Sequence, residues 1–254
     1  MIDIYEKFKS DDYKYYTDYH TQIENFNISG INIKVFEMSE KSPFRENIAY
    51  TQYCNDNSYI VGTATEYKDF VLDFIKEYSA DMFSSQAFDC AYAYLKNIKS
   101  NMEKRCNYTV MYGINDKRKL SVLKRQATSI KFDEKIKYDI IEDSVYVDRV
   151  RPGIYYGTLI DEKIVSVASW NEYSKSSEII GGKKKDTVDI GIGTHKEYRR
   201  KGYGVSNVVS LAEYILNIQH IECVIYHTDD DNINSQRTAE SAGFVRVTNS
   251  KNFW

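Results

Sequence analysis

The stretch HKEYRRKGYGVSNVV, His195 to Val209, constrains the fold of this chain more than any other. It joins segments of different hydrophobic period. TVDIGIGT before it reads as a strand. After Gly204, the residues Val205, Val208, Val209, Ala212, Ile215 and Leu216 recur at three- and four-residue spacing, which predicts a helix of about four turns. IECVIYHT then reads as a short apolar strand. Strand, helix and strand in this order make a right-handed crossover with the two strands parallel. The joint before the helix holds Gly202, Gly204, Arg199, Arg200 and Lys201. A helix start presents amide NH groups with no intrahelical partner at the positive end of the macrodipole, which suits a phosphate. Glycines let the backbone approach a ligand without a Cβ in the way. An ordinary charged turn has the same composition, so spacing alone leaves both readings open.

Neighbouring segments extend the same architecture. GIYYGTLIDEKIVSVASW is rich in β-branched and aromatic residues on both sides of a polar DEK, a hairpin pattern whose start is punctuated by Pro152-Gly153. With TVDIGIGT it predicts three consecutive antiparallel strands. DNINSQRTAESAGF predicts a short helix with an Asp or Asn cap, Ala239 and Ala242 on one side and Gly243 as its stop. FVRVTNSKNFW is suited to close the sheet.

The first half carries no motif. Its pattern predicts a helix from Ile2 to about Asn25, a strand over INIKVFEM, helices over EYKDFVLDFIKEY and AFDCAYAYLKNI, and a strand over RCNYTVMYG. The charged stretch INDKRKLSVLKRQ places a boundary near residue 116. A chain of 254 residues has room for two domains. Its net charge of -3 gives no global footprint for nucleic acid or an anionic membrane, so any anion site is local. Cys54, Cys90, Cys106 and Cys223 form no CxxC pair, which points away from a zinc site or a disulfide framework. The N-terminus lacks the basic and apolar runs of a signal peptide, and no stretch of about 18 apolar residues occurs, so a cytoplasmic location is expected. Twenty-three tyrosines read as compositional bias, with no basic face around them to make a stacking groove.

RRKGYG fits an Arg/Gln-x-x-Gly-x-Gly/Ala pyrophosphate loop, with Arg199, Gly202 and Gly204 at its defining positions. Downstream, NINSQRTAESAGF supplies Asn232, the small residue Ser235 three later and the terminal pair Gly243-Phe244. In this order the two signatures resemble the GNAT superfamily of acyl-CoA-dependent N-acyltransferases, in a bacterial branch with an N-terminal extension. The resemblance implies an α/β fold: a GNAT-like mixed sheet with splayed parallel strands over residues 117–254, plus an α+β domain of unread role over residues 1–116.

For function, the resemblance implies an N-acetyltransferase using acetyl-CoA as co-substrate, no metal, and direct attack by a small-molecule amine without an acyl-enzyme. The pantetheine arm is expected on the backbone of Ile192, Gly193 and Thr194. The pyrophosphate is expected on the amides of Arg200, Lys201, Gly202, Tyr203, Gly204 and Val205, with Arg199, Asn232 and Ser235 completing the coenzyme A site. Asp189 at the strand start and His227 at the end of the next strand are the candidate bases. Where many relatives carry a thiolate-protonating tyrosine, this chain has Ala239, which leaves Ser235, a tyrosine of the first half, or solvent. The missing phenol also keeps open a non-catalytic acyl-CoA-binding sensory module. His195 is expected to face solvent, and Lys183 to Lys185 to be either solvated or near the 3′-phosphate.

Overall fold

The computed structural model describes residues 3–39, 48–79, 81–99, 106–120, 129–132, 139–140, 155–171, 187–218 and 221–253. Pro152-Gly153 and Lys183 to Lys185 lie outside them. The chain divides into two compact units, residues 1–110 with 247–254, and residues 111–246. Against the expected division at 116, the C-terminal strand groups with the first unit. The reason is its pairing: β12 (Val245–Phe253) runs antiparallel to β3 (Ile48–Tyr53) from Thr248↔Tyr53 to Phe253↔Ile48, and Phe253 is fully buried beside Tyr50 and Phe88.

In the first unit a sheet of order β1-β2-β4-β3-β12 is built from β1 (Thr21–Ile28), β2 (Ile31–Glu37), β4 (Tyr59–Thr63) and the two strands above. The residues of β2, β3 and β4 alternate between two covered faces. Ile33, Val35, Ile48, Tyr50, Tyr59 and Val61 pack with the apolar stripes of α2 (Lys68–Tyr78) and α3 (Ser85–Ile98). Phe36, Tyr53 and Ile60 lie on the other face with Tyr16 of α1 (Ile4–Tyr19). Tyr50, Tyr53 and Tyr59 are thus core residues with a polar end to satisfy, as where the Tyr50 hydroxyl donates to the Met82 carbonyl at 2.7 Å.

The expected helix to Asn25 is corrected here. Asp3 caps α1 through its carboxylate, and the helix stops at Tyr19. Thr21–Ile28 is instead a strand, paired with β2 through a two-residue turn in which Ser29 and Gly30 both have positive φ, 53° and 82°. That Ser-Gly turn overrides the weak helical periodicity around it.

The second unit holds a sheet of order β5-β11-β10-β9-β8-β6, with β7 (Asp139–Ile140) parallel to β9. Its strands are β5 (Cys106–Ile114, of which residues 111–114 fall in this unit), β6 (Ser129–Phe132), β8 (Tyr155–Ile160), β9 (Lys163–Asn171), β10 (Thr187–Thr194) and β11 (Cys223–Asp229). β8, β9 and β10 are the three expected antiparallel strands. Between β10 and β11 the chain forms α4 (Tyr203–Leu216), which buries Val208, Val209, Leu211, Ala212 and Ile215. α5 (Ile233–Ala242) follows β11 and ends at Gly243, φ 98°, where the Phe244 amide donates to the Ala239 carbonyl. Among the described residues no helix is long and apolar enough to cross a membrane. None of them form a group of three or more His, Cys, Asp or Glu placed to hold a metal ion.

Candidate active site

β10 keeps its antiparallel partner β9 from Asp189↔Asn171 to Thr194↔Ser166. Its parallel partner β11 pairs only at Thr187↔Cys223, Val188↔Val224 and Asp189↔Ile225. Past Asp189 the two strands part, and among the described residues no strand pairs with the β10 edge from Ile190 to Thr194 on that side. This fork is the splay that the sequence led us to expect. Ile192, Gly193 and Thr194 all lie on it.

Beyond Thr194 the chain turns into α4. The His195 amide donates to the Val165 carbonyl at 2.9 Å, and Arg199 Nε donates to the Thr194 carbonyl at 3.1 Å, so both tie the turn back to the strands. Arg200 and Gly202 have φ of 62° and 81°. Two left-handed residues so close together bend the chain sharply, and Gly202 takes that conformation without a Cβ penalty. Gly202 is the helix N-cap, and as a glycine it gives the helix no side-chain cap. The amides of Tyr203, Gly204 and Val205 open α4 with a partial positive charge. Arg200 and Lys201 are exposed beside them. Gly204 closes the geometry from behind: a Cβ there would stand 3.4 Å from Thr194 Oγ1, 3.6 Å from Ile192 Cγ1 and 3.9 Å from Thr238 Cγ2. The start of α4 therefore sits directly against the β10 edge and α5.

His195 departs from expectation. It is buried, with its ring 5.8 Å from that of Tyr198, because the Val165 hydrogen bond draws the residue under the turn. The cations of the loop stay outside and His195 packs beneath them.

At the crotch of the fork the two candidate bases meet. Asp189 Oδ2 and His227 Nδ1 are 3.5 Å apart, with side-chain exposures of 16% and 36%. The register explains the meeting. Asp189 pairs with Ile225, and His227, two residues further along β11, falls on the same face. The other carboxylate oxygen, Oδ1, is buried with no hydrogen-bond partner among the described residues.

Asn232 and Ser235 occupy the first turn of α5. Asn232 accepts the Ser235 amide through Oδ1 at 3.2 Å, so it is a helix cap. The Ser235 hydroxyl lies 2.7 Å from that of Tyr226, a buried residue of β11. Ala239 is fully buried.

Sequence reasoning missed one buried polar network. Asn207 of α4 is fully buried, and its Nδ2 donates to Thr158 Oγ1, the Ser166 carbonyl and Ser166 Oγ at 3.1–3.2 Å. Ser166 Oγ in turn lies 2.8 Å from Thr194 Oγ1. This ties the second turn of the helix to β8, β9 and the end of β10. The only signal was an asparagine amid an apolar stripe.

Residues 131–245 match the family model described as an acetyltransferase (GNAT) domain. The chain is 32% identical over 85 residues to the uncharacterized N-acetyltransferase YjdG of Bacillus subtilis (strain 168), a match covering 30% of this chain and 51% of that protein. It thus spans about half the length of this curated relative. Two solved structures are similar along nearly the whole chain. One is an acetyltransferase of the GNAT family from Colwellia psychrerythraea, with 11% identity, 99% of this chain and 97% of that chain covered, and a TM-score of 0.46. The other is a GCN5-related N-acetyltransferase from Kribbella flavida, with 10% identity, 100% and 96% covered, and a TM-score of 0.43. Likenesses this distant carry no weight for function.

Proposed function

We propose, from the premise that residues 131–245 are a GNAT acetyltransferase domain, that this chain transfers the acetyl group of acetyl-CoA to a primary amine on a small molecule. The observation that carries the reading is the fork: among the described residues parallel pairing stops at Asp189↔Ile225, and the β10 edge beyond it leads straight to a helix start whose cap is Gly202, with two left-handed residues at that turn. An extended arm fits along such an edge and a pyrophosphate fits on such amides. In this reading Ile192, Gly193 and Thr194 offer backbone to the pantetheine, and Arg200 to Val205 surround the pyrophosphate. Arg199 holds the strand end in place, and Asn232 sets the first turn of α5.

The amine nitrogen attacks the thioester carbon directly. A backbone NH of the β10 edge near Ile192 stabilises the negative charge that develops on the carbonyl oxygen. The ammonium formed by attack must lose a proton, and the Asp189–His227 pair takes it, with Asp189 holding the imidazole and offsetting the charge that the ring gains. The carbon–sulfur bond breaks with its electron pair on sulfur. No residue forms a covalent intermediate.

The test follows thiol release from acetyl-CoA across a panel of small primary amines. Turnover with at least one amine is expected, together with a rise in thermal stability on adding coenzyme A. At about 100 times its dissociation constant a ligand adds roughly 2.7 kcal/mol. Gly202→Val puts a branched side chain at φ 81° and should abolish that rise. Coenzyme binding without turnover on any amine would instead identify an acyl-CoA-binding module, and no binding at all sinks both.

A further inference from the structure

The buried polar groups between α4 and β10 form a chain whose hydrogens have a fixed direction. Thr158, Ser166 and Thr194 are cross-strand partners on β8, β9 and β10, so their side chains share one face, and Asn207 reaches that face from α4. The Ser166 carbonyl can only accept, so the end of the Asn207 amide 3.2 Å from it must be the nitrogen. Ser166 Oγ therefore accepts from Asn207 Nδ2 at 3.1 Å.

Ser166 is 1% exposed, and among the described residues the acceptor within reach of its own hydrogen is Thr194 Oγ1, at 2.8 Å. Were Thr194 to donate instead, the serine hydrogen would be buried with its bond unmade. Ser166 thus donates and Thr194 accepts, which leaves the Thr194 hydrogen for another group. Among the described residues none accepts it. Thr194 is only partly buried, and its Oγ1 stands 3.4 Å from the point that a Gly204 Cβ would occupy. Glycine there leaves the space before the hydroxyl clear of a side chain, next to the first amides of α4.

An anionic oxygen seated on those amides is the acceptor that suits this hydrogen. We propose that the Thr194 hydroxyl donates a hydrogen bond to a pyrophosphate oxygen of coenzyme A, and that Asn207 and Ser166 are positioning residues that hold its hydrogen outward. This rests on the acetyltransferase reading and adds a side-chain contact to the backbone role that Thr194 has there.

Calorimetric titration of the full chain with coenzyme A tests the assignment. Hydrogen bonds to charged groups are strong, so Thr194→Val, which keeps the shape and loses the hydroxyl, should raise the dissociation constant about tenfold. Thr194→Ser should bring it back close to the unaltered value. Ser166→Ala removes the group that orients the hydroxyl and should raise the constant about threefold. Combining Thr194→Val with Ser166→Ala separates lost contact from strain, because it also removes the serine hydrogen that Thr194→Val strands. A lost contact leaves the double variant about as weak as Thr194→Val. Recovered affinity would trace the defect to the stranded serine and overturn the proposal. Inorganic pyrophosphate should compete with coenzyme A, its inhibition constant rising in Thr194→Val by the same factor. An equal constant in both proteins, or no competition in either, puts the contact elsewhere on the coenzyme and also overturns the proposal.

Unchanged coenzyme A affinity in Thr194→Val, or no rescue by Thr194→Ser, does the same, and the acetyltransferase reading stands in each of these cases. An unaltered protein that does not bind coenzyme A overturns that reading and this inference together. Should Thr194→Val fail to fold, Ser166→Ala decides: unchanged affinity there sinks the proposal.

Discussion

Each unit contains a parallel strand pair, and the two pairs behave differently. In the first unit β2 and β4 stay together over five positions, from Ile33↔Tyr59 to Glu37↔Thr63, and all of β4 is buried. In the second, β10 and β11 separate after three. Side chains account for the contrast. Ile33, Val35 and Phe36 fill both faces of the closed pair with apolar bulk. β10 instead offers a carboxylate at Asp189 and then Gly191 and Gly193 on the same face, so zipping further would bury a charge and gain little packing. A parallel pair stays shut where both faces are greasy, and opens where one face carries chemistry.

The largest expected effect comes from the charge at the crotch. Asp189→Asn keeps the shape but removes the negative charge that holds His227, and turnover should fall by about 100-fold or more, as for loss of a general base. Stabilisation by coenzyme A should be retained, since the amides of α4 are untouched. Equal loss of turnover and of coenzyme binding would break the comparison, because the carboxylate would then be holding the fork itself.

Next comes the network that braces the open pair from behind. Asn207→Leu leaves the Thr158 and Ser166 groups short of a buried partner, at a cost of about 1–3 kcal/mol in stability. It should also weaken coenzyme A binding, because α4 is no longer tied to Thr194 through Ser166. Denaturant midpoints and coenzyme titration check the two effects separately. A stability loss with unchanged affinity would mean that the helix start holds its place without the network. The matching change in the closed pair, Ile33→Val, removes one buried methylene and should cost about 1 kcal/mol with no effect on coenzyme affinity.

The open pair was legible in the sequence, whereas of the closed pair only β2 was, over INIKVFEM. A change of hydrophobic period, two glycines and three cations fall within a few residues of each other, so β10, the loop and α4 could be read locally. In the first unit the helical reading ran over Thr21 to Asn25, which are strand, and β3 and β4 were not read at all. Their continuous runs IAYTQY and YIVGT have no polar alternation, because both faces are covered. Partners far apart in sequence were equally invisible. Asn207 bonds Thr158 across 49 residues and Ser166 across 41, and no local pattern reports such a pairing. The meeting of Asp189 and His227 lies between these cases. Each was a candidate alone, and only the register made them a pair.

The smallest expected effect sharpens the contrast at the exit of the closed pair. His20, buried at the end of α1, accepts the Ser39 amide on Nδ1 at 3.3 Å, just past β2, and Tyr16 packs 5.4 Å from its ring. Burial lowers its pKa below the usual 6.5, against a weaker opposite pull from its hydrogen bond with the Tyr19 backbone. A histidine with a depressed folded-state pKa binds fewer protons folded than unfolded. Its contribution is therefore whole above 6.5 and is lost as pH falls through the folded value. Once protonated, Nδ1 can no longer accept the Ser39 amide. Urea midpoints of the first unit should drop more between pH 7.5 and pH 5 in the unaltered protein than in His20→Gln, whose side chain does not titrate. Coenzyme stabilisation at the open pair should show no such difference between the two proteins. If it does, His20 is acting on more than β2, and the closed and open pairs are coupled.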